Sequence, residues 1–207
     1  MYTKSQLYNI RKTFALHSPR PEGYGIPSAV LVPLIDINGS LNVLLTQRSL
    51  HMNHQPGDIC FPGGHGESNE TPVETALRET WEEIGIEAKD ITIIGECDFI
   101  TTHFGVYIKP FIGIVENITI DDLIFSPDEV EKVLLIPLDF FMETTPRLSV
   151  VTLEPMFPPD FPFHLIQRGE SYKWGKSKVK YWFYDYNGEI IWGLTARIIN
   201  NMKCILK

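Results

Sequence analysis

A glycine-rich loop that runs straight into a helix marked at both ends sets tight bounds on the architecture of this chain. The stretch from Phe61 to Ile86 reads FPGGHGESNETPVETALRETWEEIGI and holds four glycines and six glutamates. Thr71 is a good N-cap, Pro72 suits the first helical position, Glu74 stands where a capping box needs its acid, and Gly85 is placed to end the helix. The helix is therefore expected over about residues 72 to 84. At about 100° per residue, Val73, Ala76, Leu77, Thr80 and Ile84 fall on one stripe, and Glu79, Glu82 and Glu83 fall within an arc elsewhere. Such a helix buries one face and presents three acids on another.

Like charges at these spacings repel by roughly a few tenths of a kcal/mol per pair, so the arrangement weakens the helix unless a cation sits among the acids. Hard divalent cations such as Mg²⁺ take oxygen ligands from a few carboxylates together with substrate phosphates. A solvated acidic face is the ordinary fate of exposed glutamates. The preceding loop shifts that balance: Phe61-Pro62-Gly63-Gly64 and Gly66 allow close backbone approach, with carbonyls or amides aimed at a ligand. Arg78, beside Glu79, can hold a neighbouring carboxylate in place or form an ordinary surface ion pair.

Elsewhere the pattern is of strands. Ile26 to Ile35 and Leu41 to Arg48 are β-rich and flank Asn38-Gly39, a hairpin signal that recurs as Asn187-Gly188 between Val179–Tyr186 and Glu189–Trp192. Ile91 to Ile100 and Val106 to Val115 form a further pair about a turn at Thr101 to Gly105. Residues 4 to 16 have helical apolar spacing, with a packing role expected, ahead of a Pro/Gly-rich linker to residue 25. Ser126-Pro127 opens a short helix or turn followed by an extended piece, and Thr195 is placed to cap a closing helix through Ile205. Residues 144 to 180, rich in Pro and aromatics, are expected to be a structured insertion within a single domain spanning 1–207. The order of elements points to an α+β fold, layers built on a mixed sheet.

Composition excludes some functions. Acidic residues outnumber Lys and Arg by 26 to 18, which argues against tracking nucleic-acid phosphates. The three cysteines show no C-x-x-C spacing, so neither a disulfide framework nor a zinc knot is expected. With no run of about 18 apolar residues and no signal-peptide core, the expectation is a soluble cytoplasmic protein without a membrane partner.

Gly64, Glu70, Arg78-Glu79, Glu82-Glu83, Gly85 and Ile86 together match the Nudix box: a glycine, five residues, a glutamate, seven residues, then R-E-apolar-x-E-E-x-G-apolar. Thr80 stands at an apolar position of the motif. The chain thus resembles Nudix hydrolases, which implies an α/β/α sandwich and metal-dependent hydrolysis of a nucleoside diphosphate linked to another group. Carried over, the catalytic set is Glu79, Arg78 and Glu82. Glu79, Glu82, Glu83 and the Gly64 carbonyl would hold Mg²⁺ or Mn²⁺, with Glu79 as ligand or base. Glu129 is the candidate for an additional acid from outside the box; the alternative is an acid interacting with a helix dipole.

Residues 44 to 64, LLTQRSLHMNHQPGDICFPGG, resemble the extra signature of coenzyme A pyrophosphatases: L-L-T-x-R-S/A, three residues, Arg, three residues, Gly, three residues, F-P-G-G. Arg48, Ser49, Gly57, Phe61 and Gly63 are the substrate-binding candidates this implies. Asn53 stands where the signature has an arginine. IWGLTARI, Ile191 to Ile198, and THFGVYIKPFIG resemble the same subfamily. Coenzyme A carries a 3′-phosphate, which calls for a cation. Arg48 is available, and Lys109, Arg147 or Arg168 could substitute for the absent arginine or be plain surface charges. Residues 155 to 174 either shape a pocket for the pantetheine arm or pack among themselves. His51, His54 and His65 lack an i, i+4 helical pair and read as polar surface rather than zinc ligands.

Coenzyme A or an acyl derivative is thus the leading substrate. ADP-ribose, a dinucleotide or a nucleotide sugar is the alternative within the same chemistry, and a non-catalytic nucleotide-binding domain the alternative of another class. A homodimer is left open.

Overall fold

The computed structural model describes residues 3–18, 22–23 and 27–207. In chain order the elements are α1 (Lys4–Leu16), β1 (Ser28–Ile37), β2 (Ser40–Arg48), β3 (Ile59–Cys60), β4 (Gly63–His65), α2 (Pro72–Ile84), β5 (Ile91–Glu96), β6 (Ile100–Thr101) and β7 (Tyr107–Val115). They continue with β8 (Val130–Pro137), α3 (Leu138–Glu143), β9 (Arg147–Leu153), β10 (Ser177–Tyr186), β11 (Glu189–Ile191) and α4 (Gly193–Ile205). Residues 19–21 and 24–26 of the expected linker and first strand lie outside the described residues. Among the described residues no helix is long and apolar enough to cross a membrane.

β1 is nearly continuous in apolar residues because it lies in the middle of a sheet covered on both faces. The main path of that sheet is β3-β2-β1-β7-β5, with β4 added on β1, β6 on β7 and β8 on β2. β1 and β7 run parallel, whereas the hairpin partner β2 runs antiparallel, so the sheet is mixed. Asn38 (φ 55°) and Gly39 (φ 82°) both take the positive φ that a tight hairpin turn requires.

Side chains alternate across β1. Ala29, Leu31 and Ile35 join Ala76, Ile84 and Ile86 on the α2 side, and Val32 and Leu34 join Ile198, Ile199 and Met202 of α4 on the other. The result is the expected α/β/α sandwich. Each fully buried Leu or Ile contributes about 1.5–3 kcal/mol to holding the layers together. β9, β10 and β11 form a second, three-stranded sheet, and Tyr184 of β10 is buried in the α4-side core.

Three expectations change. α1 forms over the expected residues, capped by Thr3, but no residue of it is buried, so the packing role is not seen. The strand expected from Ile91 to Ile100 stops at Glu96: the Cys97 amide still donates to the Pro110 carbonyl at 3.0 Å, but Pro110 has no N–H to return a bond, and pairing resumes at Ile100–Thr101. Thr195 does not cap α4. Trp192 is the N-cap, and the buried Thr195 hydroxyl donates to the Ile59 carbonyl at 3.0 Å.

Candidate active site

The loop and α2 form as their caps require. The Glu74 amide donates to the Thr71 hydroxyl and the Thr71 amide to the Glu74 carboxylate, at 2.8 Å for the latter, while Gly85 closes the helix at φ 76°. Thr80, the polar residue at an apolar motif position, is fully buried because its hydroxyl donates to the Ala76 carbonyl one turn back. The acidic arc is not uniformly exposed: Glu82 faces solvent, Glu79 is half-buried, and Glu83 is only 8% exposed.

Arg78 organises the acids. Its Nε donates to Glu70 Oε1 at 2.9 Å, Nη1 to Glu79 Oε1 at 3.0 Å and to Glu82 Oε2 at 2.8 Å, and Nη2 to the His65 carbonyl at 3.2 Å. Glu70 in turn accepts from the Thr75 hydroxyl at 2.7 Å and the Glu67 amide at 3.0 Å. These donors hold the Glu70 carboxyl down at about 2, with the Arg78 hydrogen bond the largest cause. Glu70 was not among the sequence candidates for the site, although its place in the motif marks it. It aims Arg78, and Arg78 aims Glu79 and Glu82.

Glu83 points into the loop. The Gly63 amide donates to its Oε1 at 3.5 Å, and its buried Oε2 has no hydrogen-bond partner. Burial, reinforced by the charges of Glu79 and Glu129, pushes the Glu83 carboxyl up to about 8. Burial also raises Glu79, against the pull of Arg78. Glu129 therefore lies where its charge is felt by both. It is brought there by the loop that packs on the end of α2: the Ser126 amide donates to the Glu83 carbonyl at 3.3 Å, and the Ser49 amide to the Glu129 carbonyl at 2.9 Å. With Glu79 and Glu82 drawn to Arg78 and Glu83 turned to Gly63, no three His, Cys, Asp or Glu side chains among the described residues stand as a finished ligand set.

Glu79, Glu83 and Glu129 open onto one cleft of about 1110 Å³, whose walls include Arg48, Phe61, Gly63 and Gly64. Arg78 and the exposed Glu82 are not on that wall, and the substrate-binding candidates Ser49 and Gly57 stand behind it. Ser49 is fully buried, its hydroxyl accepting from the His51 amide at 3.4 Å, and the Gly57 amide donates to the Arg48 carbonyl at 3.1 Å, closing the 49–57 loop. Asn53 is exposed and lies off the cleft, as do Lys109, Arg147 and Arg168. Residues 155–174 do not line it either. Phe157, Phe161, Phe163 and Trp174 pack against one another with ring centroids 4.7 to 5.9 Å apart.

A family profile described as the NUDIX domain matches residues 25–145. The chain belongs to the Nudix family. Nudix hydrolase 3 of Caenorhabditis elegans is 39% identical over 113 residues, 54% of this chain and 47% of that one, so the chain spans about half the length of this relative. A protein named uncharacterized Nudix hydrolase NudL, from Yersinia enterocolitica, is 30% identical over 194 residues, 91% of this chain and 87% of that one. The peroxisomal coenzyme A diphosphatase ndx-8 of Caenorhabditis elegans is 32% identical over 146 residues, 68% of this chain and 62% of that one.

The Nudix match ends at residue 145, yet the cleft of this Nudix chain does not. Lys178, Lys180, Trp182, Trp192 and Arg197, all beyond the match, complete its wall. The Trp192 indole donates to Asp58 at 3.3 Å and stacks on Phe183 with the rings 4° from parallel. Together with the Thr195 bond to Ile59, this ties the start of α4 to the strand that leads into the Nudix loop. None of these wall residues was singled out from the sequence. The IWGLTARI resemblance was a signal for Trp192 and Arg197 alone, and Lys178, Lys180 and Trp182 of β10 had none.

Proposed function

We propose that the chain is a divalent-metal-dependent diphosphohydrolase of coenzyme A or an acyl derivative, releasing 3′,5′-ADP and 4′-phosphopantetheine or its acyl form. The observation that carries this reading is that Glu79 and Glu83 of the Nudix box and Arg48 and Phe61 of the upstream signature line one cleft. The relative named a coenzyme A diphosphatase supports the substrate class.

The acids suit a hard cation. Glu83 Oε2 is buried without a partner, the charge of Glu129 raises the proton affinity of both Glu79 and Glu83, and all three offer oxygen donors. Glu79, Glu82, Glu83 and the Gly64 carbonyl would hold Mg²⁺ or Mn²⁺, with Glu129 as the further acid. When bound, such an ion neutralises diphosphate charge and lowers the pKa of water in its shell. Glu79, made more basic by burial and fixed by Arg78, is suited to take the proton of the attacking water. The water oxygen adds to one phosphorus, the bridging P–O bond breaks, and two phosphomonoesters leave. Gly64 lets the loop lie against the Glu79 carboxylate, Gly63 lets it lie against β1, and Arg48 offers a cation to the substrate on the same wall.

The position of Asn53 favours one alternative. It is exposed and off the cleft, so the signature's missing arginine contributes nothing to a 3′-phosphate, which leaves ADP-ribose, a dinucleotide or a nucleotide sugar as the second reading. Product analysis by mass spectrometry on a panel of these diphosphates with Mg²⁺ or Mn²⁺ tests both. Coenzyme A is expected to give the highest kcat/KM, and Glu83→Gln is expected to lose most turnover. Undiminished turnover in that variant would also exclude the role given to the glutamates.

A further inference from the structure

Resting on the coenzyme A reading, we propose that Lys178, Lys180 and Arg197 form the subsite that receives the 3′-phosphate. A substrate with a diphosphate and a separate phosphomonoester needs two anion sites in one cleft. The cations that act on Glu79 and Glu83 are Arg78 and Arg48, which places those two at the diphosphate end. The arginine of the upstream signature is replaced by Asn53 and lies off the cleft, as do Lys109, Arg147 and Arg168.

The other cations on the cleft wall come from the C-terminal third of the chain. Lys178 and Lys180 alternate along β10, so both project from one face of the strand, about 6–7 Å apart along it. That spacing allows two ammonium groups to converge on one phosphate dianion. Lys89, Lys132 and Lys176 are each tied to a glutamate, whereas among the described residues Lys178 and Lys180 form no ion pair. Arg197 is half-buried at the start of α4, and its Nη1 donates to the Thr101 carbonyl at 3.1 Å, which fixes the guanidinium at the cleft. In a chain of net charge −8, a group of three cations on the wall of a cleft whose acids are Asp58, Glu79, Glu83 and Glu129 gives that cleft a phosphate end apart from its metal end.

The test compares coenzyme A with 3′-dephospho-coenzyme A, which differ by that one phosphate. Wild type is expected to prefer coenzyme A. In Lys178→Ala/Lys180→Ala, kcat/KM for coenzyme A should fall about 10- to 100-fold, while dephospho-coenzyme A changes by no more than about twofold. Arg197→Gln should narrow the preference in the same direction, and Lys178→Arg/Lys180→Arg should keep it. Both lysines are exposed, so circular dichroism should show an unchanged fold. Equal losses on the two substrates, or no loss on coenzyme A, would overturn the subsite and leave the coenzyme A reading standing. A wild type that hydrolyses neither compound but does hydrolyse ADP-ribose would overturn the reading and the subsite with it.

Discussion

A β-carbon placed on Gly64 would stand 2.5 Å from both carboxylate oxygens of Glu79, so the loop and the helix meet where only a hydrogen atom fits. The neighbour it would strike is the end of a flexible side chain. Gly64→Ala should therefore keep the fold, with an unfolding midpoint close to wild type, while pushing Glu79 aside and lowering kcat by about 10- to 100-fold. Gly63 provides the contrast: at φ +152° its added β-carbon would overlap the Ala29 carbonyl and Val30 Cα, both backbone. Gly63→Ala should cost about 2–4 kcal/mol in urea unfolding. A loss of stability in Gly64→Ala as large as in Gly63→Ala would contradict this assignment.

Glu70 should make the molecule sensitive to acid. Its carboxyl is held at about 2 in the folded chain against an ordinary value of 4.5, so its contribution is complete above 4.5 and lost as pH falls from there towards 2. Glu70→Gln should lower the Tm by about 2–4 °C at pH 7. The gap to wild type should close by pH 2. A gap that persists unchanged at pH 2 would show that ionisation of Glu70 is not its source.

Glu83 should act in the opposite sense. Its folded value of about 8 lies above the ordinary 4.5, so the folded state holds a proton that the unfolded chain gives up, and its contribution falls as pH rises from 4.5 to 8. In chelator, Glu83→Gln should overtake wild type in Tm above pH 8, the difference vanishing near pH 4. Millimolar Mg²⁺ at pH 8.5 should stabilise wild type and leave the variant unmoved. Wild type remaining the more stable protein in chelator at pH 9 would count against this origin of the shift.

The loop-helix could be read because its determinants are local: Thr71, Glu74 and Gly85 satisfy backbone groups within a few residues of themselves. Both Asn-Gly turns were legible for the same reason, since the positive φ is decided at the turn itself. What could not be read depends on partners far along the chain. Thr195 has the chemistry of a cap, but a carbonyl 136 residues away claims its hydroxyl. The run from Ile91 to Ile100 has strand composition throughout, and the break falls where its partner on β7 is Pro110, which has no N–H to give the ladder. Exposure of α1 was illegible because its apolar spacing is that of a packed helix. Burial of Glu83 was hidden by a helical wheel that cannot show a loop folding over one edge of the acidic arc. The lysines of β10 carry no motif, and only the fold brings them to the glutamates' cleft.

The bonds from Thr195 to Ile59 and from Trp192 to Asp58 have a consequence for how the protein is made. A ribosome emits α2 and its carboxylates more than a hundred residues before α4 leaves the tunnel. During that interval the nascent chain already carries the acids of α2, but the cleft is open along one side, and β3 waits for its clasp. On the subsite proposed above, the groups that would select a substrate follow those that would act on it, and a ribosome stalled between them would present the acids without that selection.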